Sequence, residues 1–125
     1  DFSKNDKTKS KEESFTYYKL GALLGHVESM YKYGLKLIEL SKDKEKKREG
    51  IQYLKKAGDK GLVSSIYEYG KILIEGDIGI PKDIRKGLDH VKISVHSEYP
   101  DALGYYGTIL KDGNIVTYNV KEAIK

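Results

Sequence analysis

The sequence contains no cysteine and no tryptophan, and it has only two prolines and one methionine. The absence of cysteine excludes disulfide bonds and thiolate metal sites. No apolar run approaches the roughly 20 residues that a membrane-spanning helix needs, and no stretch resembles the apolar core of a signal peptide. We therefore expect no membrane span and a cytoplasmic setting by default. The chain begins with Asp1, so an upstream signal could precede it.

Charge is nearly balanced, with 23 Lys and Arg against 19 Asp and Glu and a formal net charge of +4. This mild excess does not distinguish solubility from an anionic partner. Tyrosine is abundant at 11 copies, which suits helices with half-exposed cores because its ring packs while its hydroxyl stays hydrated. Glycine is also frequent at 13 copies. Because an interior glycine costs a helix roughly 1 kcal/mol relative to alanine, these glycines are predicted to mark turns or close helix contacts.

Apolar residues recur at helical spacing along most of the chain. The polar segment 1–11 is nearly free of them, and we predict a flexible lead-in there. Gly76 and Gly79 interrupt the periodicity, and Pro81 precedes the helix that follows. The predicted helices cover 12–24, 27–40, about 47–59, two runs within 63–96, 100–112, and a last one that begins near Val120.

One sequence unit recurs at a spacing of 36 or 37 residues. A tyrosine–glycine pair lies at the same place in three copies, at Tyr33-Gly34, Tyr69-Gly70 and Tyr106-Gly107. A second pattern follows in register, at Gly50-Ile51, Gly87-Leu88 and Ala123-Ile124. Self-similarity at this period is typical of a solenoid, in which each unit buries its apolar face on its neighbours.

The unit resembles the Sel-1-like repeat, a relative of the tetratricopeptide repeat. The middle copy carries the resemblance best, with Tyr69-Gly70, the loop Gly76-Asp77-Ile78-Gly79-Ile80-Pro81-Lys82-Asp83, and then Lys86-Gly87-Leu88. The first copy has the charged segment 41–49 in place of the loop. The third lacks the second loop glycine, the proline and the aspartate. The resemblance implies an all-α fold, a right-handed α-solenoid of antiparallel helix pairs. A leading helix over 12–24 precedes repeats at 27–61 and 63–97 and a partial repeat at 100–125.

Catalytic and metal-binding chemistry find little support in the sequence. His26, His90 and His96 lie near helix ends or faces, without acidic residues at a spacing that suggests a ligand set. The Gly76/Gly79 pair lacks the strand and the Gly-Lys-Ser/Thr tail of a phosphate-binding loop. We predict no enzyme activity, no metal, no cofactor and no small-molecule substrate.

A binding surface is implied by the resemblance, because the first helices of tetratricopeptide-like hairpins line the concave side of the array. The repeat register places Tyr31 and Tyr67 at equivalent positions, and Tyr105 lies one step further on. Lysines follow on the exposed side. The predicted partner-binding residues are Tyr31, Lys36, Tyr67, Lys71, Tyr105 and Thr108. The alternative is that Tyr31 and Tyr67 only pack between adjacent repeats.

The predicted function is a non-catalytic scaffold or adaptor that holds a peptide or helical segment of a protein partner. One alternative is a structural spacer packed constitutively within a larger chain or complex. A second is weak nucleic-acid binding through the basic surface around 42–48, which interleaved acidic residues make less favourable. Because only one turn of the last predicted helix is present, we also expect a C-terminal continuation or end-on packing at the C-terminal face.

Overall fold

The computed structural model describes residues 2–77 and 79–113. Over these residues the regular secondary structure is α-helical. There is no β-strand among them, only an isolated β-bridge between Asp77 and Ile80. The helices are α1 Phe2–Leu23, α2 Val27–Leu40, α3 Lys44–Asp59, α4 Val63–Glu75, α5 Ile84–His96 and α6 Pro100–Asp112. The predicted all-α helical-repeat solenoid is confirmed.

Extensive packing in the described part of the chain joins consecutive helices: α1 with α2, and so on to α6. This nearest-neighbour pattern defines a repeat array. The buried apolar residues form two clusters. One, around α1 to α3, comprises Ala22, Met30, Tyr33, Leu37 and Ala57. The other, around α4 to α6, comprises Tyr67, Ile74, Leu88, Val91, Ala102 and Ile109.

Glycine pairs bring the two helices of each hairpin into close contact. A Cβ atom on Gly70 of α4 would lie 2.9 Å from the carbonyl oxygen of Gly87 on α5, and a Cβ atom on Gly87 would lie 2.7 Å from that of Gly70. The same reciprocal arrangement joins Gly34 of α2 to Gly50 of α3. Real Cβ atoms do not tolerate such distances, so the hairpins depend on glycine at these positions.

The turns between hairpins share a left-handed residue. Gly25 and Gly61 have φ angles of +84° and +97°, and the third turn reaches φ +60° at Glu98. Within hairpins, aspartates start the second helices. Asp43 accepts a hydrogen bond from the Glu45 amide, and Asp83 accepts one from the Lys86 amide.

The helix bounds agree with prediction over 27–40 and 100–112, and they differ at two starts. Helix α3 begins at Lys44, where a helix was predicted from about 47. Helix α1 begins at Phe2, where the sequence predicted a flexible lead-in over 1–11 and a helix from 12. No glycine or proline precedes Gly21, and residues 2–11 include four lysines, which favour a helix. A helix anchored by Phe15 and Ala22 can therefore extend through this segment. The helix predicted from Val120 lies outside the described residues.

Candidate partner-binding face

Tyrosines from successive repeats gather on one face of the molecule. Tyr31 lies on α2, Tyr67 on α4 and Tyr105 on α6, and Tyr99 directly precedes α6. The ring centroid of Tyr67 is 5.5 Å from that of Tyr99 and 5.9 Å from that of Tyr105. These distances are those of favourable aromatic pairs. We call this surface the tyrosine face and define it by Tyr31, Tyr67, Tyr99 and Tyr105 with Glu68 and Lys71.

The hydroxyl of Tyr31 connects the first repeat to the second and third. It lies within hydrogen-bonding reach of the Ser64 side chain on α4 and of the Tyr99 hydroxyl. Burial, together with the charges of Tyr99 and Glu68, raises the pKa of Tyr31 to about 12, although the hydrogen bond from Ser64 acts in the opposite direction. Tyr31 therefore stays protonated at neutral pH and keeps a proton to donate.

Glu68 is a half-buried carboxylate in the middle of the tyrosine face. Burial raises its pKa, and the carboxylates of Asp101, Glu39 and Glu75 raise it further, whereas Lys71 lowers it. These neighbours come from α2, α4 and α6. Negative charge from three repeats thus converges on Glu68.

Tyr67 belongs to the core more than to the surface. It is 5% exposed and is a member of the α4–α6 cluster. Burial, followed by the charges of Glu68 and Asp101, raises its pKa to about 12, which places its hydroxyl near those carboxylates. Within residues 2–77 and 79–113, this hydroxyl makes no hydrogen bond. Tyr67 therefore packs against Tyr99 and Tyr105 of the third repeat.

The six predicted partner-binding residues do not all lie together. Tyr31, Tyr67, Lys71 and Tyr105 share the tyrosine face, and the Lys71 ammonium lies 5.6 Å from the Tyr105 ring centroid. Thr108 is exposed on α6, where its hydroxyl donates to the Gly104 carbonyl at 3.1 Å. Lys36, the remaining predicted residue, lies away from the tyrosine face.

Lys36 lines a recess of about 540 Å³ between α1 and α2. Its neighbours there include Phe15, Leu40 and Lys11. The separation follows from the register. A shift of 36 residues relates Lys71 to Leu35 and relates Lys36 to Ile72. On a helix, one residue changes the direction of a side chain by 100°, so Lys36 faces the preceding helix.

Sequence reasoning missed two residues of this face, Glu68 and Tyr99, and the neighbouring Asp101. Glu68 directly follows Tyr67, and Tyr99 and Asp101 flank Pro100, which starts α6. The sequence signal for Tyr99 was its position directly before the proline that starts α6, because residues in the turns between repeats lie close to both repeats. Nothing in the spacing distinguished the half-buried Glu68 from the exposed acidic residues.

Three further observations concern metal binding, the environment of His90 and membrane insertion. Among the described residues, no group of three His, Asp or Glu side chains is arranged to hold a metal ion. His90 is engaged within the fold, with Nδ1 2.9 Å from the Lys86 carbonyl oxygen and its ring 5.4 Å from that of Tyr69. In the same part of the chain, no helix combines the length and apolar character that a membrane span requires.

A second surface lies on the outer side of α6. Leu103 and Leu110 are 49% and 52% exposed, whereas their counterparts in the first repeat, Met30 and Leu37, are 6% and 4% exposed. A Cβ atom on Gly107 would meet no described atom within 4 Å. The face that receives a second helix in the first two hairpins is thus uncovered here by the described residues.

The repeat geometry agrees with a comparison against known protein families. The sequence profile of the Sel1 repeat matches residues 4–26, 27–62 and 63–93. The chain belongs to the Sel1 repeat family. The second and third matches begin at the first residues of α2 and α4, and the first match covers most of α1. The predicted partial repeat at 100–125 lies beyond these matches.

Sel1 repeats are generally protein–protein interaction modules, and proteins built from them are typically non-catalytic scaffolds. A search of curated proteins finds no match. Membership of the Sel1 repeat family therefore indicates a general role in protein–protein interaction. The tyrosine face is the surface for which a specific role can be proposed.

Proposed function

We propose that this chain is an adaptor that holds a segment of a protein partner across the tyrosine face. One observation carries the proposal: the first helices of three successive repeats contribute tyrosines and charged residues to a single surface. Tyr31, Lys71, Tyr105 and Thr108 are the proposed contact residues. Tyr67 supports them from beneath, and Lys36 would contact a partner only where it extends towards α1.

Tyrosine suits this role because it offers a large, rigid contact area at low cost in side-chain entropy. The Tyr31 hydroxyl is within hydrogen-bonding reach of Ser64 and Tyr99 on the neighbouring repeats, which favours a fixed arrangement of the face. Such preorganisation reduces the cost of binding. We place this action in the cytoplasm, in keeping with the expectation from the sequence.

Site-specific photo-crosslinking tests the proposal. A photoreactive amino acid at Lys71 or Thr108 is expected to capture the same protein partner. The control position is Lys55 on α3, which lines a different recess with Ile66 and Ile93. Equal capture from Lys55 would contradict binding at the tyrosine face. Capture from none of the three positions would favour the alternative of a structural spacer.

We also propose end-on packing at the outer side of α6, supported by the exposure of Leu103 and Leu110. The proposed occupant is a helix that presents a small residue to Gly107, because both observed hairpins join α-helices through paired glycines. A bulky Gly107→Leu variant is expected to block this packing. If light scattering gives the same molar mass for the assembly formed by the variant as for that formed by the wild type, end-on packing at this face is contradicted.

A further inference from the structure

The charged groups that surround Glu68 are mostly acidic, whereas the chain as a whole carries a positive net charge. The formal net charge is +4. Among the charged neighbours with the largest effect on Glu68, three are carboxylates and one, Lys71, is a cation. The carboxylates are Glu39, Glu75 and Asp101. This local excess of negative charge would attract a cationic group and repel an anionic polymer.

The aromatic rings offer a second feature that favours a cation. The Lys71 ammonium lies 5.6 Å from the centroid of the Tyr105 ring, within the range of a cation–π interaction. Tyr105 is packed edge-on against Tyr67, with an interplanar angle of 82°. A positively charged group is thus already accommodated beside these rings by the chain itself.

The third feature is the hydroxyl of Tyr67. The side chain is more than nine-tenths buried, and its hydroxyl has no hydrogen-bond partner among the residues described. The nearby charges of Glu68 and Asp101 act on it most strongly. Its oxygen can accept a hydrogen bond from an N–H donor that enters between these carboxylates. Among the described residues, the only buried side-chain oxygen without a partner is that of Ser65, so the Tyr67 hydroxyl reaches the surface, where an N–H donor can approach it.

We propose that the tyrosine face recognises a partner through a lysine or arginine side chain of an exposed linear segment, which is placed against Glu68 and Asp101. This inference rests on the proposed function and deepens it by naming the chemistry of the partner. The ammonium or guanidinium group donates hydrogen bonds to the carboxylates and to the Tyr67 hydroxyl. The rings of Tyr99 and Tyr105 contact the aliphatic part of the same side chain.

Two synthetic peptides test the proposal. One is a soluble 12-residue peptide with three arginines, and the other replaces each arginine with citrulline, which keeps the shape and removes the charge. Binding to the 125-residue chain is followed by fluorescence anisotropy at low ionic strength. Hydrogen bonds between charged groups are stronger than those between neutral groups, so we expect at least about tenfold tighter binding of the arginine peptide.

Variants locate the binding. The double variant Glu68→Gln with Asp101→Asn is expected to lose about tenfold in affinity for the arginine peptide. The matched control is Glu12→Gln with Glu13→Gln on α1, which makes the same change in net charge and should retain affinity within about twofold, because exposed distant charges are screened. Circular dichroism checks that both variants keep their helices. Single Asp101→Asn, at an exposed position, provides a milder second test.

Equal affinity for the citrulline peptide would overturn the inference, and so would full retention of affinity by the Glu68/Asp101 variant. Failure of the cationic recognition can be distinguished from failure of the proposed adaptor function. A partner crosslinked from Lys71 or Thr108 through a segment without lysine or arginine would support the adaptor role and overturn the cationic recognition. Preferential binding of the arginine peptide, lost in the Glu68/Asp101 variant and kept in the control, would support both.

Discussion

Gly34 on α2 and Gly50 on α3 stand so close that a Cβ atom on either would lie within 2.7 Å of the other's carbonyl oxygen. Gly107 occupies the equivalent tyrosine–glycine position on α6, and a Cβ atom there would meet nothing within 4 Å among the described residues. Gly34 and Gly107 both follow a tyrosine in the repeat, but Gly34 is packed against a second helix and Gly107 is not packed against any described residue. They therefore form a matched pair for mutation.

Gly34→Ala is expected to destabilise the fold by about 1–3 kcal/mol, because the two helices must separate to admit a methyl group. Gly107→Ala is expected to stabilise it by about 0.5–1 kcal/mol, since alanine favours a helix over glycine where space is free. Urea denaturation followed by circular dichroism measures both. A destabilising Gly107→Ala would contradict an open outer side of α6 in the isolated chain.

Ser65→Ala is expected to raise the stability of the fold. Ser65 is fully buried, and its hydroxyl has no hydrogen-bond partner among the residues that the structure describes. Removing such a group recovers part of the desolvation cost, about 1 kcal/mol. The control is Ser94→Ala, at an equally buried serine whose hydroxyl donates to the His90 carbonyl at 3.2 Å. Thermal melts should show a higher midpoint for Ser65→Ala and no such gain for Ser94→Ala.

Glu98→Gly is expected to stabilise the third turn by up to about 1 kcal/mol, because a left-handed conformation is strained for a residue with a Cβ atom. Glu98 has φ +60°, where the two earlier turns have Gly25 and Gly61. Ser97→Gly is the control, since Ser97 has φ −85° and gains nothing from glycine. A midpoint for Glu98→Gly at or below that of Ser97→Gly would show that the turn is not strained.

Glu68→Gln is expected to increase the free energy of unfolding at pH 7 more than at pH 4. The folded-state pKa of Glu68 is raised by burial and by Asp101, Glu39 and Glu75, against the effect of Lys71. A carboxyl with a raised folded pKa contributes stability that is complete below its unfolded pKa and is lost as pH rises through its folded pKa. The wild-type chain should therefore lose stability relative to the variant over that interval.

Urea denaturation of both proteins at pH 4, 5, 6 and 7 measures this difference. Glu13→Gln on α1 makes the same change in charge and is measured alongside as the control. A difference between wild type and Glu68→Gln that does not change with pH would contradict the argument from burial.

The helices could be predicted from the sequence wherever glycine, proline or a change of period marked their ends. Gly25 and Gly113 follow α1 and α6, and Pro100 starts α6, so those ends were recovered to within a residue. The start of α1 was missed because residues 2–11 carry no apolar periodicity, although no glycine or proline interrupts them and their lysines favour a helix.

The tyrosine face could be predicted in part, because the 36-residue period places equivalent residues on the same side of the array. This was enough to bring Tyr31, Tyr67 and Tyr105 together. It could not show that Tyr67 is buried or that Tyr99 contacts it, since both depend on how closely adjacent repeats approach. Lys36 is one residue out of register with Lys71, which turns its side chain by 100° and places it in the recess beside α1.

The division of the apolar interior into two clusters has a consequence for how the chain unfolds. One cluster centres on α1 to α3 and the other on α4 to α6, and the packing of α3 on α4 joins them. In an array of this kind, stability is approximately a sum of unit and interface contributions. The strength of the α3–α4 interface then decides whether the two halves melt together, and a single midpoint describes the whole chain only if that interface is strong.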